Sequence, residues 1–167
     1  YLKIKLLGET RSEEAISYLE SFLMDQESSK RKLVINSLRI GTGTSISFLE
    51  RILQTDRDFE VRQATLEKLG EIADLDCIEI FLRILANQNE DSNLRSHAGG
   101  LLQKAKDIEE KDQINFLLSS ILINKYEDSN VRANAALALK EINVDNAVRY
   151  LQPVSLDEDW SVNRIVC

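Results

Sequence analysis

The sequence predicts an all-α fold, a right-handed superhelix of about five stacked helical hairpins. Two patterns alternate along its 167 residues: an aromatic residue followed by leucine, and an acidic residue followed by an apolar residue and arginine. Copies of each pattern lie 30 to 37 residues apart, a period typical of repeats built from paired helices. Because one helical hairpin cannot bury its apolar side alone, consecutive hairpins are expected to stack.

The aromatic–leucine pair marks the first helix of each hairpin, which we call helix A. Apolar residues recur around it at the spacing of an amphipathic helix, as in Ile46, Leu49 and Leu53. Pro153 is expected to end or kink the last copy, because proline lacks an amide hydrogen. The pairs are Tyr18-Leu19, Phe48-Leu49, Phe81-Leu82, Phe116-Leu117 and Tyr150-Leu151, and the predicted A helices are 12–24, 45–54, 75–86, 112–124 and 145–152.

The acidic–apolar–arginine pattern opens the second helix of each hairpin, helix B. Its aspartates stand at N-cap positions, where a carboxylate accepts hydrogen bonds from free backbone N–H groups and meets the positive end of the helix dipole. The clear copies are Asp58–Arg62, Asp91–Arg95 and Asp128–Arg132, with weaker ones at Glu27–Arg31 and Asp159–Asn163. The predicted B helices are 28–40, 58–72, 91–105, 128–142 and a truncated one from about 158.

The segment 128–139 reads Asp-Ser-Asn-Val-Arg-Ala-Asn-Ala-Ala-Leu-Ala-Leu. It resembles the B helix of a HEAT repeat and is most similar to the short HEAT-like repeats first described in phycobilisome (PBS) lyases. The resemblance covers essentially the whole chain and implies a HEAT-like α-solenoid. The chain departs from the repeat pattern at Lys30, which stands where an apolar residue is usual, and at Asn163, which replaces arginine.

The repeats are expected at about 10–41, 42–73, 74–106 and 107–143, with an incomplete copy at 144–167. Residues 1–9 resemble the end of a preceding repeat, because Ile-Lys-Leu-Leu-Gly-Glu at 4–9 matches Leu-Glu-Lys-Leu-Gly-Glu at 66–71. We therefore expect a single HEAT-like domain that is a segment of a longer solenoid, with adjacent repeats of the same chain at both ends.

Aspartate and arginine four residues apart lie on the same side of each B helix. The HEAT resemblance implies that such residues bridge adjacent repeats, which is a structural role. The alternative, an acid–base pair or an anion site, is disfavoured because a functional site rarely recurs in every repeat. Recurrence likewise favours core packing of the aromatic residues over a stripe for stacking nucleic-acid bases. The predicted structural ladder comprises Asp58, Arg62, Asp91, Arg95, Asp128 and Arg132.

Few residues fit catalytic chemistry. His97 is the only histidine, and Cys77 and Cys167 lie far from it in sequence, so neither a metal site nor a Ser-His-Asp set is expected. We expect no enzyme activity and no cofactor, with His97 solvated on its helix and Cys77 filling the core. The pair Gly99-Gly100 inside a predicted helix indicates either close helix packing or a bare stretch of backbone that a partner approaches.

The net charge of −7 disfavours a general electrostatic attraction to nucleic acid or to an anionic membrane. No apolar stretch approaches the eighteen residues that a membrane span needs. Two cysteines make no disulfide framework and fit a reducing compartment. The sequence therefore predicts a cytoplasmic protein without membrane contacts.

Positions +1, +5, +8 and +9 after each B-helix arginine point away from the stack by helical periodicity. In HEAT solenoids, B helices line the concave side. Here that face is small, polar and nearly neutral, and it suits a protein partner better than phosphates. The predicted partner-binding residues are Lys32, Asn36, Arg39, Gln63, Glu67, Ser96, Gly100, Gln103, Leu137 and Lys140, and periodicity also points Gly70 and Ala133 outward.

These observations favour a non-catalytic scaffold that holds a protein partner on the concave B-helix face. The alternative implied by the resemblance is a bilin lyase subunit or a phycobiliprotein-handling factor, which would need a chromophore pocket. A DNA-lesion enzyme built on HEAT-like repeats is disfavoured by the acidic balance of the chain.

Overall fold

A computed structural model describes residues 2–8, 12–38, 43–72, 74–107, 111–143, 147–152 and 162–164. Throughout these residues, every regular element is helical and no strand occurs. The predicted all-α fold is thereby confirmed. The chain divides into two compact units, Tyr1–Ile72 and Ala73–Cys167, and the division falls at the predicted boundary between two repeats.

The described residues of the first unit form five helices. Three of them, α1, α3 and α5, form a layer in which α3 packs against both α1 and α5. The other two, α2 and α4, pack on this layer, α2 against α1 and α3, and α4 against α5. The helices are α1 Leu2–Gly8, α2 Glu13–Phe22, α3 Ser28–Ser37, α4 Gly43–Thr55 and α5 Phe59–Ile72.

The second unit has the same alternation of helices A and B. The B helices α7 and α9 pack side by side, while α6 packs on α7, and both α8 and α10 pack on α9. The elements are α6 Leu75–Ala86, α7 Ser92–Leu101, a 3-10 helix Leu102–Asp107, α8 Lys111–Ile123, α9 Ser129–Ile142 and α10 Ala147–Leu151.

The predicted A and B helices are confirmed wherever the structure describes the chain, although several of their ends differ, as where α2 ends at Phe22 and α4 begins at Gly43. Helix α3 ends at Ser37, and the third B helix continues as a 3-10 helix after Leu101. Residues 162–164 are helical, but the start of the last B helix near 158 and the predicted stop at Pro153 lie outside the described residues. None of the described helices is long and apolar enough to cross a membrane.

Aspartate caps begin α5, α7 and α9, as predicted, whereas Glu27 at the start of α3 makes no such bond. The Asp91 carboxylate accepts hydrogen bonds from the backbone N–H groups of Asn93, at 2.9 Å, and Leu94, at 3.3 Å. Asp58 and Asp128 accept from the same positions of their own helices. These bonds satisfy donors that a helix cannot pair internally, and each cap contributes about 1 kcal/mol.

The core of each unit forms where helices A and B meet. In the second, third and fourth B helices, fully buried residues lie one position before and three and seven positions after the arginine, the inward positions of the helical wheel. In α9, for example, these are Val131, Ala135 and Leu139. Cys77 is buried at the start of α6, as predicted for a small core residue.

Hydrogen bonds from the B-helix arginines show which positions of the A helices are equivalent. The Nε atoms of Arg62, Arg95 and Arg132 donate to the carbonyl oxygens of Leu53, Leu85 and Leu122, at 2.9, 3.0 and 3.1 Å. The residues four positions before these acceptors are therefore equivalent. They are Leu49, Phe81 and Leu118, and all three are fully buried.

The prediction that all five aromatic–leucine pairs share one core position is wrong. Phe116 lies two residues before Leu118, on the opposite side of α8, and its side chain is 79% exposed. Tyr18 is half exposed and stacks edge-on against Phe22, with ring centroids 5.4 Å apart. The aromatic residue of the pair therefore does not mark one fixed core position. In some A helices it faces the core, and in others a neighbouring apolar residue does.

Two amide side chains join α8 to the residue that follows α9. Asn115 Nδ2 donates to Asn143 Oδ1 at 3.0 Å, and Asn143 Nδ2 returns a bond to Asn115 Oδ1 at 2.7 Å. A further bond of 3.3 Å reaches the Tyr150 hydroxyl on α10. Asn115 is buried, and these bonds compensate for its loss of water.

Candidate interaction surface

Buried arginines tie consecutive hairpins together within each unit. Arg95 of α7 is 5% exposed and donates to two partners. Its Nε bonds the Leu85 carbonyl of its own hairpin at 3.0 Å, and its two terminal nitrogens reach the Glu127 carboxylate of the next hairpin at 2.7 and 2.6 Å. This two-pronged geometry is the strongest form of a protein ion pair. Arg95 of α7 therefore connects α6 to the loop that precedes α9.

A backbone hydrogen bond also orients the carboxylate of Glu127, the partner of Arg95. Its Oε1 also accepts from the backbone N–H of Asp128 at 2.9 Å. The hydrogen bonds from Arg95 lower the pKa of Glu127 below its ordinary value, although burial opposes this shift. Glu127 therefore carries its negative charge at neutral pH.

The first unit repeats this arrangement. Arg31 Nε and a terminal nitrogen donate to the two Asp56 oxygens at 2.8 and 2.9 Å, and the other terminal nitrogen bonds the Asp25 carbonyl at 2.8 Å. Arg31 and Asp56 are 5% and 8% exposed. Asp56 is oriented by the backbone N–H of Asp58 at 2.9 Å.

Two different acidic residues near the start of a B helix have two different roles: one caps the helix, and the other pairs with an arginine. Asp58, Asp91 and Asp128 cap their own helices, and the acids that meet Arg31 and Arg95 lie one or two residues before such a cap. These two acids, Asp56 and Glu127, are not among the residues predicted from the sequence. The signal that could have found them is a second acidic residue just ahead of the cap, as in Asp56-Arg57-Asp58 and Glu127-Asp128.

In the first unit, the predicted partner-binding residues lie on α3 and α5. Asn36 and Glu67 are exposed, and Lys32 and Gln63 are half-buried. Lys32 Nζ lies 2.7 Å from the Glu60 carboxylate, and Gln63 donates to Glu67 at 3.1 Å. Arg39 lies outside the described residues.

In the second unit, the predicted residues lie on α7, on α9 and on the 3-10 helix. Lys140 is exposed, and Ser96, Gly100, Gln103 and Leu137 are half-buried. Asn134 joins the two B helices, since its Nδ2 donates to Ser96 Oγ at 2.7 Å.

Two outward predictions from the helical wheel are wrong. Gly70 and Ala133 are buried, because small residues let neighbouring helices approach closely and lose their own exposure. The B-helix face therefore offers a partner fewer residues than the helical wheel predicts.

The glycine pair of α7 faces Asn134 of α9. A Cβ at Gly99 would lie 3.2 Å from Asn134 Cβ and 3.4 Å from Leu85 Cδ1, whereas one at Gly100 would lie 3.5 Å from Asn134 Oδ1. The close-packing interpretation is therefore confirmed at Gly99, where little space exists for a side chain.

We expect Gly99→Val to lower the melting temperature by about 5 °C, because overpacking costs about 1–3 kcal/mol. Gly100→Ala should raise it by about 2 °C, since alanine fits and reduces the freedom of the unfolded chain. Thermal unfolding followed by circular dichroism checks both. Shifts of the same sign in the two variants would contradict this account of the helix contact.

The chemistry-bearing residues outside this surface are dispersed. His97 is half-buried on α7. Among the residues that the structure describes, no three His, Cys, Asp or Glu side chains come together in a group that could hold a metal ion.

Neither a scan against protein-family models nor a search of curated proteins found a match to this sequence. The likeness to HEAT repeats therefore rests on the residues of the chain itself.

Proposed function

We propose that the chain is a segment of a HEAT-like solenoid, with adjoining repeats, and serves as a non-catalytic scaffold that binds a protein partner on its B-helix face. The observation that carries the proposal is the shared plan of the two units. In each, the B helices pack side by side, their buried arginines bond neighbouring hairpins, and their outer positions stay available.

The polar groups of the B-helix face support a protein partner. Lys32 with Glu60 on the first unit, and Ser96 with Asn134 on the second, link neighbouring B helices across the surface. Such links orient side chains before a partner arrives, which lowers the entropy cost of binding. Positive and negative groups are mixed on this surface, as in protein interfaces, whereas a phosphate backbone selects a dense stripe of lysine and arginine.

The buried arginines support a non-catalytic role. Arg31 and Arg95 direct their guanidinium groups to carboxylates and main-chain carbonyls inside the hairpins. These buried charged groups thus bond one hairpin to the next. We expect the exposed residues of the B-helix face to contact the partner.

Matched charge reversals test the proposal. A partner is first captured from the source cell with the wild-type chain, identified by mass spectrometry and purified. Glu67→Lys changes an exposed glutamate of α5, and Glu79→Lys changes an exposed glutamate of α6. We expect Glu67→Lys to raise the Kd measured by calorimetry at least about tenfold, equivalent to 1.4 kcal/mol, with no effect of Glu79→Lys.

Leu137→Ser on α9, with Ser120→Leu on α8 as its control, tests the second unit in the same way. Normal binding by both B-helix variants, or equal losses in the A-helix controls, would contradict the proposed face. A change in the visible absorbance of a free bilin on mixing with the chain would contradict the scaffold and favour a bilin-handling factor.

A further inference from the structure

Helix α8 exposes two large apolar side chains on the side opposite its core residues. Phe116 and Ile123 are 79% and 56% exposed. They lie seven residues apart, which is two turns, so both project from the same side of the helix. The buried residues Ile114, Leu118 and Leu122 face the other side. Exposed apolar side chains grouped in this way mark interaction surfaces.

Two serines separate the apolar residues. Ser119 is half-buried and Ser120 is exposed, and each apolar residue lies three residues from the nearer serine. Ser120 Oγ donates to the Leu117 carbonyl of its own helix at 2.7 Å, so the hydroxyl keeps a hydrogen bond when the surface is covered. Because the side chains are small here, a second helix can approach to about 8 Å between the two axes.

The two ends of this surface carry opposite charges. Asp112 is exposed in the first turn of α8, and Lys125 is exposed in the turn that follows the helix. Residues 116–125 include no acidic residue, although the chain has 28. A second molecule of the same acidic protein can therefore approach this surface without facing the excess negative charge of the chain.

The surface is complementary to itself. From either end of α8 it presents a charge, an apolar residue, two serines, an apolar residue and the opposite charge. A two-fold axis at the serines sets two α8 helices antiparallel and brings Phe116 of one copy against the partner's Ile123. Asp112 of one copy then lies beside the partner's Lys125, and opposite ends of the two helix dipoles meet. An isologous interface needs this property, because both subunits use the same surface.

We propose that this outer face of α8, formed by Asp112, Phe116, Ser119, Ser120 and Ile123 with Lys125, is a dimerisation surface on which a second copy of the chain packs its own α8 antiparallel. The inference goes beyond the proposed scaffold, since none of the residues predicted to bind a protein partner lies on α8. Contact through one helix of each subunit buries less than the roughly 1,200 Å² of a stable complex, so we expect a weak dimer with a Kd of about 1–100 μM.

Sedimentation equilibrium of the intact chain tests the dimer at concentrations from about 1 to 500 μM, which span the expected Kd. The mass should rise from the 19.0 kDa of the monomer towards twice that value. Phe116→Ala should raise the Kd at least about tenfold, because each dimer loses the aromatic contact twice. Met24→Ala, which truncates an exposed apolar residue of the first unit, should leave the Kd unchanged. A chain that remains monomeric at the highest concentration, or equal effects of the two substitutions, would overturn the proposal.

Charge reversals test the antiparallel arrangement. Asp112→Lys or Lys125→Asp alone places like charges together at both ends of the dimer, and each should raise the Kd at least about fivefold. An equal mixture of the two variants should recover the wild-type Kd, since every end contact then joins opposite charges. Glu141→Lys and Lys140→Asp make the same changes of net charge on exposed residues of α9, and they should alter the Kd by less than about twofold. Single reversals that dimerise as tightly as the wild type, or a mixture that fails to associate, would overturn the proposal.

Discussion

Replacing Arg95 with alanine lowers the melting temperature by about 10 °C, because the loss of one partner from a buried ion pair costs about 3–5 kcal/mol. The substitution leaves the Glu127 carboxylate buried without its guanidinium and removes the donor to the Leu85 carbonyl. Calorimetry of the variant measures the loss.

Arg149→Ala is the matched control, since Arg149 is an exposed arginine of the same unit, on α10. We expect its melting temperature to stay within about 2 °C of the wild-type value. An Arg95→Ala variant that melts together with Arg149→Ala would show that the buried pair does not hold the hairpins together.

Leu118→Ala and Phe116→Ala should differ sharply, although the two residues are neighbours on α8. Leu118 is fully buried, and its truncation is expected to cost about 2–5 kcal/mol. Phe116 is 79% exposed, and its truncation should cost less than about 0.5 kcal/mol. Urea denaturation of both variants gives the two free energies of unfolding. A larger loss in Phe116→Ala would contradict the register of α8.

The alternation of helices, their caps and the inward side of each B helix were predictable from local pattern. A cap needs only a carboxylate beside the first free N–H groups, and the helical wheel needs only a period of 3.6 residues. Both properties involve residues within one or two turns of each other, as with Asp91 and Leu94 or Val131 and Ala135.

The register of α8 was not predictable from the aromatic–leucine pair. The spacing from Phe81 to Phe116 is 35 residues, whereas that from Arg95 to Arg132 is 37. The chain between the two anchors therefore changes in length, and a shift of a single residue rotates a side chain by about 100° around the helix. The difference between the two spacings was the only sign in the sequence that Phe116 does not occupy the position of Phe81.

Contacts between hairpins were harder to predict than contacts within them. Local pattern identifies Asp128 as the cap of α9, but it does not show that the preceding acid, Glu127, meets an arginine 32 residues earlier. Asn115 occupies the position of α8 that corresponds to Ile46 and Ile78 in the other A helices. The repeat pattern therefore predicts an apolar residue there and does not explain the asparagine. Its partner, Asn143, lies 28 residues away.

A double-mutant cycle on the buried ion pairs measures the central claim, that within each unit a buried arginine couples one hairpin to the next. Arg95→Met and Glu127→Gln are combined in the second unit, and Arg31→Met and Asp56→Asn in the first. The account predicts that each pair of substitutions is non-additive by about 2 kcal/mol or more in the free energy of unfolding. Additive effects within about 0.5 kcal/mol in both units would contradict it.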